Sequence, residues 1–392
     1  MSTDAPADTP ADATDPSVGA GASPLLGLPA AVAAEGIDSG VVAHYGNPLG
    51  EQRLLASGTA LAQVARGVVT VSGPDRLSWL DSLTSQSIAR LAPGESAESL
   101  LLDPQGRVEH DIRIVDDGVT AWLILERPQT AALAAFLSRM RFMLRVEIAD
   151  VSDQHAVIGS LDADLARRIL GDDVIVSWQD PWRTGSIGGV SYARAAAEHP
   201  GADWTWSETV VPVGALDRLA AAVIGAEVRV AGSLAVDALR IAAWRPRLGV
   251  DTDERTIPHE LDWLRSAVHL SKGCYRGQET VAKVHNLGRP PRRIVMLDLD
   301  GSEGIVVPAG APVLALRQGE QVEAGAITSS AIHYELGPIA LAVIRRAVDP
   351  DEILTVVADG ASIAARQEII VPADAGPAVT DIPRLPRLGR PA

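Results

Sequence analysis

Ser271-Lys272-Gly273-Cys274-Tyr275-Arg276-Gly277-Gln278-Glu279-Thr280 decides the reading of this 392-residue chain. It contains the only cysteine, Cys274, and one of the only two lysines; the other, Lys283, follows closely. Lysine is a compact three-donor point charge, unlike the planar fork of arginine. A cation beside a thiol raises the thiolate fraction, and the thiolate is the nucleophile and metal ligand. The segment is therefore a candidate site of chemistry, with Cys274 and Lys272 at its centre. The same residue types also describe a small buried thiol in a turn shaped by Gly273 and Gly277, and residue type alone leaves both readings open. The spacing is too short, and cysteine too scarce, for an all-protein metal site.

Composition narrows the field further. The formal net charge is −16, from 34 Lys plus Arg against 50 Asp plus Glu, which disfavours DNA, other polyanions and a membrane surface as partners. No run of about eighteen apolar residues occurs, so no spanning helix is expected. One cysteine cannot close an internal disulfide, which fits a reducing, cytoplasmic location. Residues 1–52 hold no Lys or Arg, unlike a secretory or mitochondrial leader. Their first part is rich in Ala, Asp, Thr and Pro and reads as a disordered acidic tail, drawn here as 1–42. A Pro-rich tail is expected over 373–392.

Between the tails the pattern is α+β. Val68–Val71 reads as a strand, and Leu77, Leu80, Leu83 and Ile88 as one face of a helix. Leu100–Leu102 and Val108–Val115 read as a hairpin about the turn Asp103-Pro104-Gln105-Gly106. Trp122–Leu125 is a strand, Pro128–Arg139 a helix, and Phe142–Ile148 a further strand. A second unit runs over 151–232, with a strand at Val210–Val213 and a helix over Leu216–Ile224. Ser233–Trp244 reads as a helix carrying Leu234, Ala238 and Ile241 on one side. From Ile294 onward, short strands punctuated by glycine suggest a small barrel or sandwich.

Lys272-Gly273-Cys274-Tyr275-Arg276-Gly277-Gln278-Glu279 resembles the K-G-C-[FY]-x-G-Q-E signature of the YgfZ family, folate-binding relatives of the glycine-cleavage T-protein. Val71-Ser72-Gly73-Pro74-Asp75, Leu83-Thr84-Ser85-Gln86, Asp103-Pro104-Gln105-Gly106-Arg107, Arg240-Ile241 and Ile257-Pro258-His259-Glu260 are similar to further family motifs, in the family's order. The likeness covers roughly residues 43 to 372. It implies a three-module T-protein-like fold around a central folate channel. The modules would be 43–150 and 233–290 as two parts of one folate-binding body, 151–232 as a middle α/β unit, and 291–372 as a C-terminal β-barrel.

The resemblance also implies a function: a tetrahydrofolate-binding protein that supports iron–sulfur cluster assembly or repair in client enzymes. Cys274 would lend one thiolate to a transient cluster shared with a client or assembly protein, since a cluster normally takes four. Lys272 would tune that thiol or meet the folate glutamate. Asp111 falls where the T-protein keeps a folate aspartate and would serve as a base. Tyr275, Gly277, Gln278, Glu279, Arg240 and Arg292 would contribute to folate binding, with Arg292 gripping its carboxylates. The T-protein pattern G-E-x-G-[FY]-E is missing from Trp204-Thr205-Trp206-Ser207-Glu208-Thr209, where Glu208 is a stand-in. The T-protein signature lacks the cysteine. Two alternatives remain: a folate-dependent one-carbon transferase relying on Asp111, and a non-catalytic folate-binding regulator.

Overall fold

In the computed structural model, residues 23–193, 199–302 and 305–377 are described. Seven α-helices order the chain among these residues: α1 Pro48–Ala56, α2 Arg76–Leu83, α3 Thr130–Met140, α4 Leu165–Leu170, α5 Ala215–Ile224, α6 Ser233–Ala242 and α7 Gln278–Leu287. Strands form two five-stranded sheets and a closed six-stranded barrel, giving the mixed helix-and-sheet architecture expected.

Sheet I is antiparallel, in the order Ser96–Leu102, Val108–Asp116, Thr120–Glu126, Arg66–Ser72, Glu147–Asp150. Sheet II has the order Val176–Gln179, Ser207–Pro212, His155–Ser160, Ala60–Val64, Arg229–Val230, with only the last pairing parallel. One residue, Ala65, separates the strand of sheet II from the first strand of sheet I. The chain thus turns the corner between sheets with its backbone still extended, and the sheets share one core. Val68, Leu100, Ile124, Val157, Trp178 and Val210 all belong to it. The alternate side chains of sheet I, such as Val69, Leu101, Ile112 and Leu123, pack instead against α2 and α3. This is the period-two division of a sheet covered on both faces.

Ala60–Val64 pairs with His155–Ser160, so the middle unit borrows a strand from before residue 150. The expected boundary at 151 is therefore not where the sheets divide. The expected tail over 1–42 fails for its last twenty residues. Leu25 is fully buried against α5 and sheet II, Val32–Ala33 pairs with Val42–His44, and Asp38 is buried on Arg247. A low-charge segment can order when a few leucines find a prepared apolar surface. Residues 1–22 and 378–392 lie outside the described residues.

Two local expectations also change. On α6 the buried positions are Ala235, Ala238, Leu239 and Ile241, while Leu234 is exposed. The helix turns this stripe toward α1 and the barrel, so Ala238 and Ile241 lie on it as expected and Ala235 takes the place of Leu234. The apolar run Phe142–Ile148 forms strand only from Glu147, and residues 141–145 make an exposed tip.

The barrel strands are Arg292–Leu299, Gly337–Arg345, Glu320–His333, Pro312–Arg317, Ile353–Ala358 and Ala361–Ile369. Closure leaves no free edge. The barrel is tied to the body by polar contacts: Thr328 and Ser329 hydroxyls donate to Asp251 at 2.6 and 2.7 Å, and Gln52 donates to the Ile332 carbonyl at 3.0 Å.

Burial of Leu25 makes a direct test. Leu25→Ala should lower the free energy of unfolding by about 2–4 kcal/mol through the lost apolar contact and the cavity left behind. Val32→Ala, at a position 46% exposed, should change it by about 0.5 kcal/mol or less. Urea denaturation of both variants checks the pair.

Candidate functional site

The signature forms the approach to α7. Gly277 is the residue before the helix, at φ +83°. A Cβ there would meet the Asp103 carbonyl oxygen at 2.6 Å and Gly106 Cα at 3.0 Å, so only glycine fits this close crossing. The Asp103–Gly106 turn and the signature, 170 residues apart, therefore meet backbone to backbone. Arg276 reinforces the contact by a bidentate pair with Glu109 at 2.6 and 3.2 Å, its guanidinium lying 5.4 Å from the Phe136 ring.

Lys272 is used differently from the expectation. Its buried ammonium donates to the carbonyls of Asp81, Thr84 and Gln86 at 2.5, 2.8 and 2.7 Å. These lie at and just beyond the C-terminal end of α2, where helix carbonyls lack intrahelical partners and the dipole favours a cation. Burial holds the Lys272 pKa below the usual lysine value, against the opposing pull of Asp81. All three protons are committed, so the lysine caps a helix and docks the signature on it. A planar guanidinium would not present three donors to one convergent nest in this way. Cys274 is exposed. Gln278 donates to the Lys272 carbonyl at 3.2 Å, Glu279 is exposed in the first turn of α7, and Tyr275 is buried with its hydroxyl unpartnered.

Arg292 is bidentate to Asp253 (2.6 and 2.9 Å) and to Glu260 (3.0 and 2.8 Å), which leaves neither edge of its fork free to grip a ligand carboxylate bidentately. Arg240 is buried and satisfied by Asp237, Asp251 and the Arg245 carbonyl. Both therefore join the barrel and α6 to the body. Its neighbour Arg293 is fully buried in the barrel wall, with two guanidinium nitrogens unpartnered.

The other gathering of polar groups lies between the sheets. Asp111 and Arg113 share one face of their strand and point toward sheet II, whose Glu208 approaches them. Arg113 lies 3.6 Å from Asp111 and 3.5 Å from Glu208, and its guanidinium sits 5.5 Å from the Trp178 ring. Arg66 Nε donates to Glu208 at 3.2 Å, and Nη1 pairs with Glu126. Arg247 bridges Glu126 and Asp38, both at 2.8 Å; Arg245 bridges Glu98 at 2.6 Å and Asp180 at 2.9 Å. All of these side chains are buried.

Burial and neighbouring charge pull these groups apart. Burial would raise Glu208, but Arg113 and Arg66 more than offset it and hold its pKa below the usual glutamate value. Burial, with Arg113 adding repulsion, pushes Arg66 down to about 9. Burial pushes Glu98 up to about 8, against the pull of Arg245. Pairing is also incomplete. Asp111 Oδ1, Glu208 Oε2, Glu98 Oε2, Arg113 Nε and Nη1, and Arg245 Nη1 are buried without a hydrogen-bond partner. Such atoms cost roughly 1–3 kcal/mol each when left alone. Carboxylate acceptors and guanidinium donors thus converge from two facing sheets, as a polar, planar ligand with alternating donors and acceptors requires.

The sequence reading brought Asp111 and Glu208 to this place but missed Arg66, Glu98, Arg113, Glu126 and Arg245. Their signal was available: Glu109-His110-Asp111-Ile112-Arg113 alternates charged and other residues. Alternation of that kind usually marks a solvent face, and only the second sheet makes it an interior one. An open cleft of about 880 Å³ lies elsewhere, lined by Leu28, Tyr45, Arg53 and Ile224, and contains none of these groups. No cluster of three or more His, Cys, Asp or Glu able to hold a metal occurs among the described residues.

No protein-family model matches the chain. It is 27% identical over 254 residues to the mitochondrial iron–sulfur cluster assembly factor IBA57 homolog of Mycosarcoma maydis, covering 59% of this chain and 55% of that protein. The chain thus spans just over half the length of that relative. It is 25% identical over 361 residues to the aminomethyltransferase of Bordetella petrii, covering 85% of this chain and 91% of that one. The glycine cleavage system aminomethyltransferase T from Bartonella henselae superposes with a TM-score of 0.67, over 88% of this chain and 94% of that chain, at 18% identity. The fold is that of the T-protein class. The cysteine-bearing signature, which the T-protein lacks, is where the chain resembles the YgfZ family.

Lys272→Ala should destabilise the protein by about 1–3 kcal/mol, because three carbonyls lose their donor in a half-enclosed nest. The rate at which iodoacetamide alkylates Cys274 in the folded protein should stay within about twofold, since the committed ammonium has no proton left for the thiol. Denaturant unfolding and a timed alkylation check both halves.

His259 anchors the same region, its Nε2 lying 3.1 Å from the Val281 carbonyl of α7. Burial pushes it down to about 4. The unfolded chain takes up this proton near pH 6.5 and the native one only near pH 4, so its contribution is complete above pH 6.5 and lost as pH falls toward 4. Relative to wild type, His259→Gln should therefore gain about 2–3 kcal/mol between pH 7 and pH 4. Urea titrations at both pH values measure that difference.

Proposed function

We propose that the protein binds a reduced folate between its two sheets and supports iron–sulfur cluster assembly or repair through Cys274. The observation that carries the reading is the set of buried atoms without a hydrogen bond on Asp111, Arg113 and Glu208, the last two joined only by a 3.5 Å ion pair. A pterin presents adjacent N–H donors beside a carbonyl acceptor. A carboxylate such as Asp111 or Glu208 accepts from the former, and Arg113 donates to the latter, so the residues fit the group. The layer is closed to solvent, and binding is therefore coupled to side-chain displacement. When bound, the folate would supply a one-carbon carrier. The protein residues would orient its ring and exclude water.

Cys274 serves the second part of the reading. One thiolate cannot hold a cluster, so the cargo must be shared with a protein that brings the other ligands. An exposed thiol at the crossing of two rigid motifs meets that requirement, where a buried one would not. The likeness to an assembly factor supports the assignment. A folate-dependent one-carbon transferase remains the second reading. The free Asp111 oxygen favours it, as does the near full-length likeness to aminomethyltransferases.

Saturating tetrahydrofolate should raise the melting temperature by mass action. Asp111→Asn with Glu208→Gln should weaken binding roughly tenfold or more by removing two charged acceptors. Cys274→Ala should bind folate within about twofold of wild type yet fail to restore cluster-dependent enzyme activity in a deletion strain. Absence of both a melting shift and calorimetric heat with tetrahydrofolate would overturn the folate reading. Full rescue by Cys274→Ala, with loss in Asp111→Asn, would transfer the function to the transferase.

A further inference from the structure

Arg139-Met140-Arg141-Phe142-Met143-Leu144-Arg145 runs from the end of α3 into the tip that replaces the first part of the strand expected over Phe142–Ile148. Phe142 is 88% and Met143 86% exposed, with Met140 at 45% and Leu144 at 37%. Four large apolar side chains in five residues therefore contribute little to any core. An apolar surface of this kind is a recurrent mark of an interaction site.

The tip is held on both sides. Leu133 and Leu137 bury α3 before it, and Val146 is buried after it. The Leu144 amide donates to the Arg141 carbonyl at 3.0 Å, closing the turn. Arg145 is fixed on Asp75 by its backbone amide at 2.9 Å and by two side-chain bonds at 3.1 and 2.7 Å. Phe142 itself sits at φ +47°, in the left-handed region that a bulky side chain pays to enter. The local structure thus maintains, at some cost, a conformation that keeps the phenyl ring in water.

Charge says what kind of surface fits. The chain carries −16 overall, yet Arg139 and Arg141 flank the apolar residues and make no ion pair with a carboxylate among the described residues. A partner must therefore present an apolar hollow rimmed by acid. Methionine adapts to protein surfaces because its side chain is unbranched and polarisable. An anionic bilayer is a poorer match, since the net charge repels it and the tip lacks the Trp, Tyr and Lys of membrane-interface segments.

Position adds the last argument. Phe136, under the Arg276 guanidinium at 5.4 Å, stands one helical turn before Met140 on the same helix. Arg276 is two residues from the exposed Cys274. Arg276 and α3 thus link the segment of the thiol to the tip. We propose that residues 139–145 are a docking surface for an acidic partner protein with an apolar pocket, placed so that the docked partner also reaches Cys274. Only the last clause rests on the proposed role of the thiol.

The test uses the full chain. Benzoylphenylalanine replaces Met143 in one version, and a benzophenone maleimide labels Cys274 in another; both are photolysed in cells and the adducts identified by mass. The same acidic protein should appear from both positions. Purified, it should bind Phe142→Asp/Met143→Asp at least roughly tenfold more weakly than wild type, as expected for loss of buried anchors. Arg139→Glu/Arg141→Glu should slow association and reduce its dependence on salt. Melting temperature and tetrahydrofolate affinity of both double variants should match wild type. Adducts only between copies of this chain, binding unaffected by either double variant, or variant-sensitive binding to phosphatidylcholine–phosphatidylglycerol vesicles in place of a protein would each overturn the proposal. Docking that persists while Cys274→Ala rescues fully would leave the surface standing and remove only its link to the thiol.

Discussion

The structure depends on a buried layer of opposed charges between two sheets. A sheet pair of this size would ordinarily close on aliphatic side chains alone. Here Arg66, Arg113, Arg245 and Arg247 meet Glu98, Asp111, Glu126 and Glu208 away from solvent. Desolvating such groups is expensive, and their mutual attraction rarely makes the arrangement more stable than an apolar one would be. Oxygens and nitrogens on Asp111, Glu208 and Arg113 that lack a hydrogen bond mark a layer whose hydrogen-bonding capacity exceeds what the chain supplies. The apolar core around it, with Trp178, Trp204 and Trp206, fixes the spacing at which these groups face each other.

The second constraint is the crossing of the signature over the Asp103–Gly106 turn. Gly277 and Gly106 allow the approach, Lys272 secures it on the end of α2, and Arg276 secures it on Glu109. Each contact draws on a different segment, so the position of Cys274 is set by sheet I as a whole. The thiol is displayed at the surface while the charged layer lies within. The two candidate elements are thus separated: one is enclosed between the sheets, the other faces solvent. The exposed tip after α3 belongs with the second.

The interlocking of the modules has a simple origin. With only Ala65 between the strands of sheets II and I, the corner cannot be cut without breaking both. Residues 23–42 add to this, since Asp38 reaches Arg247 and Arg247 reaches Glu126. The early segment is therefore part of the wall of the charged layer.

Much was determined by sequence alone. The period-two runs, the helices α2, α3 and α5, the turn at Asp103–Gly106 and the glycine-punctuated barrel follow from local side-chain patterning and backbone preference, although Ile88, expected on the face of α2, lies past its end at Leu83. The signature named the class and singled out Cys274, because eight adjacent residues carry a steric and chemical pattern readable without folding. Asp111 was singled out by its position in the hairpin, and Glu208 only as a stand-in where the T-protein pattern is missing. Tertiary structure alone decided the rest. Whether Arg113 and Glu98 face water or the interior depends on Glu208 and Arg245, which lie far along the chain. Whether Lys272 serves a thiol or a helix end depends on where α2 stops. Arg292 looked free beside two prolines until Asp253 and Glu260 closed around it. Leu25 looked like part of a tail until α5 offered it a surface. In each case the side chain's chemistry is local but its partner is distant, and a partner's position is what only the folded chain contains.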